Sequence, residues 1–157
     1  MFLGESVHTL DAKSRVVVPA RFLPEFAQDV AGKRPATITR GFEGCLFLFP
    51  EDGFVKAMER MSTQAFLGEE QRRMQRLFFS NAHATPIDKA GRLLIPEKLR
   101  NLAGLELEKE VVLVGVADRA ELWSHEAWQA FNAKHDAEFD KLDQVLLGEG
   151  EGAPPGA

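Results

Sequence analysis

The sequence predicts an α+β fold, mainly β, built from two pseudo-symmetric units with flanking helices. Three observations carry this expectation. The run Asp11-Ala12-Lys13-Ser14-Arg15-Val16-Val17-Val18-Pro19 returns as Asp88-Lys89-Ala90-Gly91-Arg92-Leu93-Leu94-Ile95-Pro96, so an Asp-x-x-x-Arg loop, a branched aliphatic run and a closing Pro occur twice. The match extends beyond the loop: at an offset of 77, Asp11, Arg15, Val18, Pro19 and Phe22 correspond to Asp88, Arg92, Ile95, Pro96 and Leu99. After a three-residue deletion the offset becomes 74, and Gly41, Leu48, Phe49 and Phe54 correspond to Gly115, Leu122, Trp123 and Trp128. Finally, most apolar stretches are short and end in Gly, Pro or Asp, which is the spacing of strands.

In chain order, residues 4–10 read as a strand that passes through the Asp11 loop into a second strand at 15–18. Pro19 suits a helix start, with Phe22 and Phe26 four apart, but Pro24 breaks the segment into short turns. Gly32 to Pro35 is a linker, Ala36 to Thr39 a strand, and Cys45 to Phe49 a buried strand ended by Pro50. The second unit repeats this plan with a strand at 84–87, a loop at 88–91, a strand at 92–95, a short helix at 96–102 and strands at 111–116 and 120–123. Helices follow each unit. One starts at Asp52 or Gly53 and runs to Arg60 with Phe54, Val55, Met58 and Met61 as its stripe, and another covers 69–79 with Met74, Leu77 and Phe78. A last helix begins after Ser124, a candidate N-cap, and is expected to bury Trp128, Phe131, Phe139, Leu142 and Leu146. The organisation is therefore a first unit at 5–52, a helical connection at 53–80, a second unit at 81–124, a C-terminal helix at 125–147 and a disordered tail at 148–157.

The repeated loop has a physical logic. An Asp entering a tight turn folds its carboxylate onto the next backbone N–H groups, and Ala-Lys-Ser or Lys-Ala-Gly is small or polar enough to follow. The Arg leaving the loop either pairs with that Asp or points outward to a phosphate, and the loop alone leaves both open.

Little in the chain suggests catalysis. His8, His83, His125 and His135 lack zinc spacing, and a single Cys45, set among apolar residues, reads as core. Neither phosphate-cradling Gly motif occurs, and Ser14 and Ser124 have no neighbouring base by spacing, so the chain is expected to be no enzyme and to need no metal or cofactor. No leader pattern and no apolar run of roughly 20 residues is present, which predicts a cytoplasmic protein with no membrane contact.

Net charge is −5, yet residues 1–124 hold 17 Lys plus Arg against 17 Asp plus Glu, while residues 125–157 hold 2 against 7. The acidity is C-terminal. The repeated segments are locally basic through Lys13, Arg15 and Arg21 in the first and Lys89, Arg92, Lys98 and Arg100 in the second. Arg72, Arg73 and Arg76 crowd one helix, where Glu69 and Glu70 favour a solvated, ion-paired face.

DAKSR with VVVP, DKAGR with LLIP, the opening MFLGE, the central RGFEGCLFLFP, the QRRMQRLFFSNA segment and the late ELW together resemble the MraZ family of bacterial transcriptional regulators, from about Met1 to Trp128. The resemblance implies tandem AbrB/SpoVT-type units interlocked into a small β-barrel, ring oligomers that are often octameric, and repression of its own promoter and the downstream division and cell-wall genes. It also implies a nucleoid-associated partner of double-stranded promoter DNA bearing short direct repeats. Carried onto this chain, the candidate DNA-binding residues are Lys13, Arg15 and Arg21 in the first copy and Lys89 and Arg92 in the second, with Asp11 and Asp88 structuring the loops. The first loop is expected to meet DNA; the second meets DNA or a subunit boundary. Ser14 replaces the Gly common before that Arg, whereas the second copy keeps Gly91.

Overall fold

The computed structural model describes residues 1–62 and 68–148. The first repeat supplies β1 (Glu5–Thr9), β2 (Arg15–Val17), a 3-10 turn (Leu23–Glu25), β3 (Ala36–Arg40), β4 (Leu46–Pro50) and α1 (Glu51–Ser62), followed by α2 (Glu69–Ser80). The second supplies β5 (His83–Ala84), β6 (Arg92–Leu94), α3 (Glu97–Leu102), β7 (Glu110–Val116), β8 (Arg119–Ser124) and α4 (His125–His135), then a 3-10 segment (Asp136–Leu142) and α5 (Asp143–Gly148). The expected tail at 148–157 falls, beyond Gly148, outside the described residues.

Six strands form an antiparallel sheet in the order β1-β7-β8-β4-β3-β5, and β2 and β6 form a separate antiparallel ribbon. Exchanging the two repeats reads that order backwards onto itself. The register is equally symmetric: Val16 faces Leu93, its own counterpart at the 77-residue offset, and Phe47 faces Glu121, its counterpart at 74. A pseudo-twofold axis therefore passes through both pairs. Each repeat lends its first strand to the other, β1 to β7 and β5 to β3, so neither completes a sheet alone and residues 1–125 form one compact unit.

The closed barrel implied by the resemblance is not formed by hydrogen bonds, because β1 and β5 are the two edges of an open sheet. The strand expected at 84–87 is also cut to His83–Ala84, with a lone bridge from Ile87 to Arg34. Pro86 explains this, since it has no N–H to donate to the ladder.

One face of the sheet carries Ile38, Leu46, Leu48, Val111, Leu113 and Leu122, and the ribbon's Val16 and Leu93 close over them in a single core flanked by Phe22 and Leu99. On the other face of β4, Phe49 meets Phe54 of α1 and Phe78 of α2, with ring centroids 6.0 and 6.4 Å away. Thr39 anchors the end of α2 by donating its hydroxyl to the Phe78 carbonyl at 2.7 Å. The matched glycines Gly41 and Gly115 both sit where a side chain does not fit: a Cβ on Gly115 would collide with the backbone of Phe2 and Leu3, and one on Gly41 would lie 2.7 Å from the Cys45 sulfur. Cys45 is buried as expected, and its thiol is pushed up to about 12, first by burial and then by the charge of Glu121, so it stays protonated.

Of the described residues, 126–148 belong to a second unit. The expected continuous helix is interrupted by the 3-10 segment. Trp128 and Phe131 are half-buried and stacked at 5.4 Å, but Phe139, Leu142 and Leu146 are exposed rather than buried. An apolar stripe is covered only where a second apolar surface meets it, and among the described residues nothing covers these three.

Candidate nucleic-acid interface

The two Asp-x-x-x-Arg loops adopt the same bonding. In the first, Asp11 Oδ1 accepts from the N–H groups of Lys13 and Arg15, both at 2.9 Å, and Asp11 Oδ2 accepts from Arg15 Nε at 2.9 Å. In the second, Asp88 Oδ1 accepts from Ala90 and Arg92 N–H at 2.9 Å and Oδ2 accepts from Arg92 Nε at 3.0 Å. Backbone bonds close each turn, from Ser14 N–H to the Asp11 carbonyl at 3.0 Å and from Gly91 N–H to the Asp88 carbonyl at 2.9 Å.

These bonds act on the carboxylates. The Arg15 backbone N–H is the largest influence holding Asp11 below its ordinary 3.8, partly opposed by burial. At Asp88 burial pushes upward, but the Arg92 N–H, its guanidinium and the Ala90 N–H together outweigh it, so this carboxyl also lies low. Both are charged at neutral pH. His8 on β1 adds no positive charge there, since burial and then the nearby Arg21 hold its imidazole below 6.5.

Ser14 takes the left-handed conformation that Gly91 takes opposite it, with φ of 63° against 78°. A side chain costs roughly 1–2 kcal/mol in that region. Ser14 offsets this by donating its hydroxyl to the Ile95 carbonyl at 2.7 Å in a buried setting, while Ile95 N–H returns to the Ser14 carbonyl at 2.8 Å. On the symmetric side, Val18 N–H donates to the Gly91 carbonyl at 2.8 Å. The loops are thus stitched to opposite ends of one ribbon.

That ribbon decides how the arginines sit. Val16 and Leu93 point inward, so Arg15, Val17, Arg92 and Leu94 lie on its outer face. Arg15 pairs with Leu94 and Val17 with Arg92, which sets the two arginines on one diagonal, roughly 7–8 Å apart by backbone. Val17 and Leu94 occupy the other diagonal and are 50% and 52% exposed. Among the described residues each Asp engages only Nε of its Arg, and no protein acceptor meets the terminal Nη1 and Nη2 of Arg15 or Arg92. The staple and the outward reach, opposed in the sequence, are compatible in one side chain.

Of the other sequence candidates, Lys13 is exposed in its loop, whereas the Lys89 stem lies across Gly32, whose added Cβ would be 3.2 Å from it. Arg21 is not brought to the ribbon face: its Nε donates to the Leu3 carbonyl at 3.2 Å, its Nη2 to the Glu5 carbonyl at 2.7 Å, and it covers the Phe22 ring. Sequence reasoning missed Val17 and Leu94. Their strict alternation with buried neighbours was readable only once the aliphatic runs were known to be half-exposed.

The model for the family described as "MraZ protein, putative antitoxin-like" matches residues 1–77 and again 78–149. This chain belongs to the MraZ family. The two matches fall on the two MraZ repeats, and the division between them lies within the last turn of α2. Similar proteins include the transcriptional regulator MraZ of Desulforamulus reducens, 39% identical over 147 residues, which is 94% of this chain and 98% of that one. Those of Carboxydothermus hydrogenoformans and Lactiplantibacillus plantarum are each 37% identical over 147 residues, covering 94% of this chain and 97% and 99% of theirs. Among the described residues, no MraZ helix here is long and apolar enough to cross a membrane, and no cluster of three or more metal-ligating side chains occurs.

Proposed function

We propose that this chain is a sequence-specific, DNA-binding transcription regulator of the cytoplasm and nucleoid. It acts as a ring oligomer on short promoter repeats and represses its own promoter and the downstream division and cell-wall genes. The observation that carries the DNA reading is the pair of guanidinium forks on one ribbon face, held by Nε and, among the described residues, without an acceptor at their ends. The relatives' name, transcriptional regulator MraZ, supports it. A two-stranded antiparallel ribbon fits the major groove, where a guanidinium fork matches the O6 and N7 acceptors of guanine and an aliphatic side chain matches a thymine methyl. Arg15 and Arg92 take the first role, Val17 and Leu94 the second, and Lys13 and Lys89 contact phosphate.

One chain offers few phosphate contacts, so its affinity is weak and salt-dependent. A ring makes each further contact effectively intramolecular and raises avidity by roughly two to four orders of magnitude. The test is a gel-shift titration across salt with cognate and scrambled duplexes. Arg15→Ala is expected to lower discrimination by about 1–3 kcal/mol, and Lys13→Ala to lower the salt slope by about one. Wild-type protein with no preference between duplexes would sink the reading. The half-exposed Val17 and Leu94 favour a second one, an antitoxin-like module whose ribbon binds a protein, and that same result would leave it standing.

A further inference from the structure

Residues 29–33, Asp29-Val30-Ala31-Gly32-Lys33, form a third loop in which a base stands four places after an Asp, partly inside the stretch that the sequence reads as a linker. Asp29 Oδ1 accepts from the N–H groups of Ala31 and Lys33, both at 2.9 Å, two and four places after the Asp as in the other two loops. The backbone closes the same way: Asp29 N–H donates to the Lys33 carbonyl at 2.7 Å, and Gly32 N–H to the Asp29 carbonyl at 3.0 Å. Gly32 takes the left-handed φ of 81°, against 63° at Ser14 and 78° at Gly91. The difference lies in the base. Arg15 and Arg92 each give Nε to their Asp, whereas a lysine has one side-chain nitrogen, and among the described residues no acceptor meets that of Lys33.

This loop is joined to the second Asp-x-x-x-Arg loop. Arg34 and Ile87 exchange both backbone bonds, at 2.9 and 2.8 Å, and Ile87 directly precedes Asp88. The Lys89 stem crosses Gly32, so the two loops touch. Arg34 is turned to the protein, its Nη1 donating to the carbonyls of Leu23 at 3.0 Å and Phe26 at 2.6 Å. Lys33 and Lys89 are exposed, and Val30 at the tip is fully so. The turn beside the first loop has the opposite charge. Residues 28–35 hold Asp29 against Lys33 and Arg34, whereas residues 104–110 hold Glu106, Glu108 and Glu110 against Lys109, all four exposed.

We infer that residues 29–33 are a third DNA-contacting loop, in which Lys33 takes a backbone phosphate beside the contact made by Lys89. This rests on the reading of the ribbon face as a DNA interface and extends that face past the second loop. An ammonium meets phosphate as a point charge and carries no sequence information, so Lys33 adds hold and not discrimination. The loop is already shaped by Asp29 and tied to Ile87, so little chain freedom is lost when the contact forms. The three carboxylates of the turn at 104–110 repel phosphate, so Lys109 has no such role.

The experiment compares full-length wild-type protein with Lys33→Ala, Lys33→Arg and Lys109→Ala. Affinity for cognate and scrambled duplexes is followed by fluorescence anisotropy across salt, and folding by thermal melting. Both lysines are exposed, so all three variants are expected to keep wild-type melting. Lys33→Ala is expected to lower the salt slope by about one per engaged chain and to weaken both duplexes alike. Lys33→Arg is expected to restore the slope, and Lys109→Ala to leave it unchanged. An unchanged slope in Lys33→Ala overturns the inference, as does a slope that Lys33→Arg fails to restore. Equal falls in Lys33→Ala and Lys109→Ala also overturn it, because net charge and not a located contact would then set the slope. A loss confined to the cognate duplex overturns it too, since Lys33 would then read a base. The DNA reading is judged on wild-type protein. Binding without preference between duplexes defeats sequence specificity alone and leaves the slope comparison standing, whereas no binding to either duplex defeats both.

Discussion

The first and second loops share the carboxylate and backbone hydrogen bonds that close them yet differ at all three residues between the Asp and the Arg. Ala-Lys-Ser and Lys-Ala-Gly give the same turn because the carboxylate holds backbone N–H groups, which all three-residue inserts provide. Their surroundings differ more. The first loop abuts the turn containing Glu106, Glu108 and Lys109 through bonds between Leu10 and the backbone of 108 and 109. The second abuts the turn at 29–34, whose Asp29 carboxylate is already engaged by the N–H groups of Ala31 and Lys33. Shape is thus duplicated while the local field is not, and the comparison separates what positions an arginine from what surrounds it.

The largest effect belongs to the shared support. Leu93 is fully buried on the pseudo-twofold axis opposite Val16. Leu93→Ala should cost about 2–5 kcal/mol, seen as a lower denaturant midpoint at unchanged slope. Because the ribbon carries both loops, stability and DNA binding should fall together. A midpoint shift with fully retained affinity would uncouple ribbon from site.

Next come the arginines. Equivalent bonding and a common face predict that Arg92→Ala and Arg15→Ala each remove about 1–3 kcal/mol of discrimination between cognate and scrambled duplex. Competition binding measures this. A loss confined to Arg15 would mean that the flanking charge, or a subunit boundary at the second loop, outweighs the shared geometry.

Ser14 offers a finer comparison. Ser14→Gly relieves the left-handed strain but loses the bond to Ile95, so thermal unfolding should change by no more than about 1 kcal/mol. Ser14→Val keeps the strain and orphans the Ile95 acceptor, and should be the worse of the pair. Equal melting of both variants would remove the hydroxyl from the account.

The smallest effect is that of acid. Both Asp pKa values are lowered in the folded chain, so their contribution is complete above the ordinary 3.8 and is lost as pH falls through the lowered folded values. Between pH 7 and 5 loop stability should not change. Amide exchange at Arg15 and Arg92 should accelerate together only below about pH 4, and a change near pH 6 would point to a histidine instead.

Much of the local structure was legible because neighbouring residues decide it. Pro24 cut the segment after Pro19 to a 3-10 turn, and Asp11 and Asp88 announced their turns. The helices at 51–62 and 69–80 followed their apolar spacing to within two residues at each end. Pro86 was equally visible, but its effect on β5 required knowing that a ladder ran there.

What the residue order settled alone is the duplication, its two offsets, and the loop that Asp and Arg close over three residues, since each depends on groups only a few bonds apart. What needed the folded chain is the exchange of first strands between repeats and the meeting of Arg15 with Arg92 beside Val17 and Leu94. So did the withdrawal of Arg21 to the carbonyls of Leu3 and Glu5. These depend on partners up to 109 residues apart, such as Glu5 and Val114, and on which guanidinium nitrogen the fold happens to engage. Composition cannot specify that choice, because Nε and the terminal nitrogens belong to the same side chain and only the placement of the acceptor tells them apart.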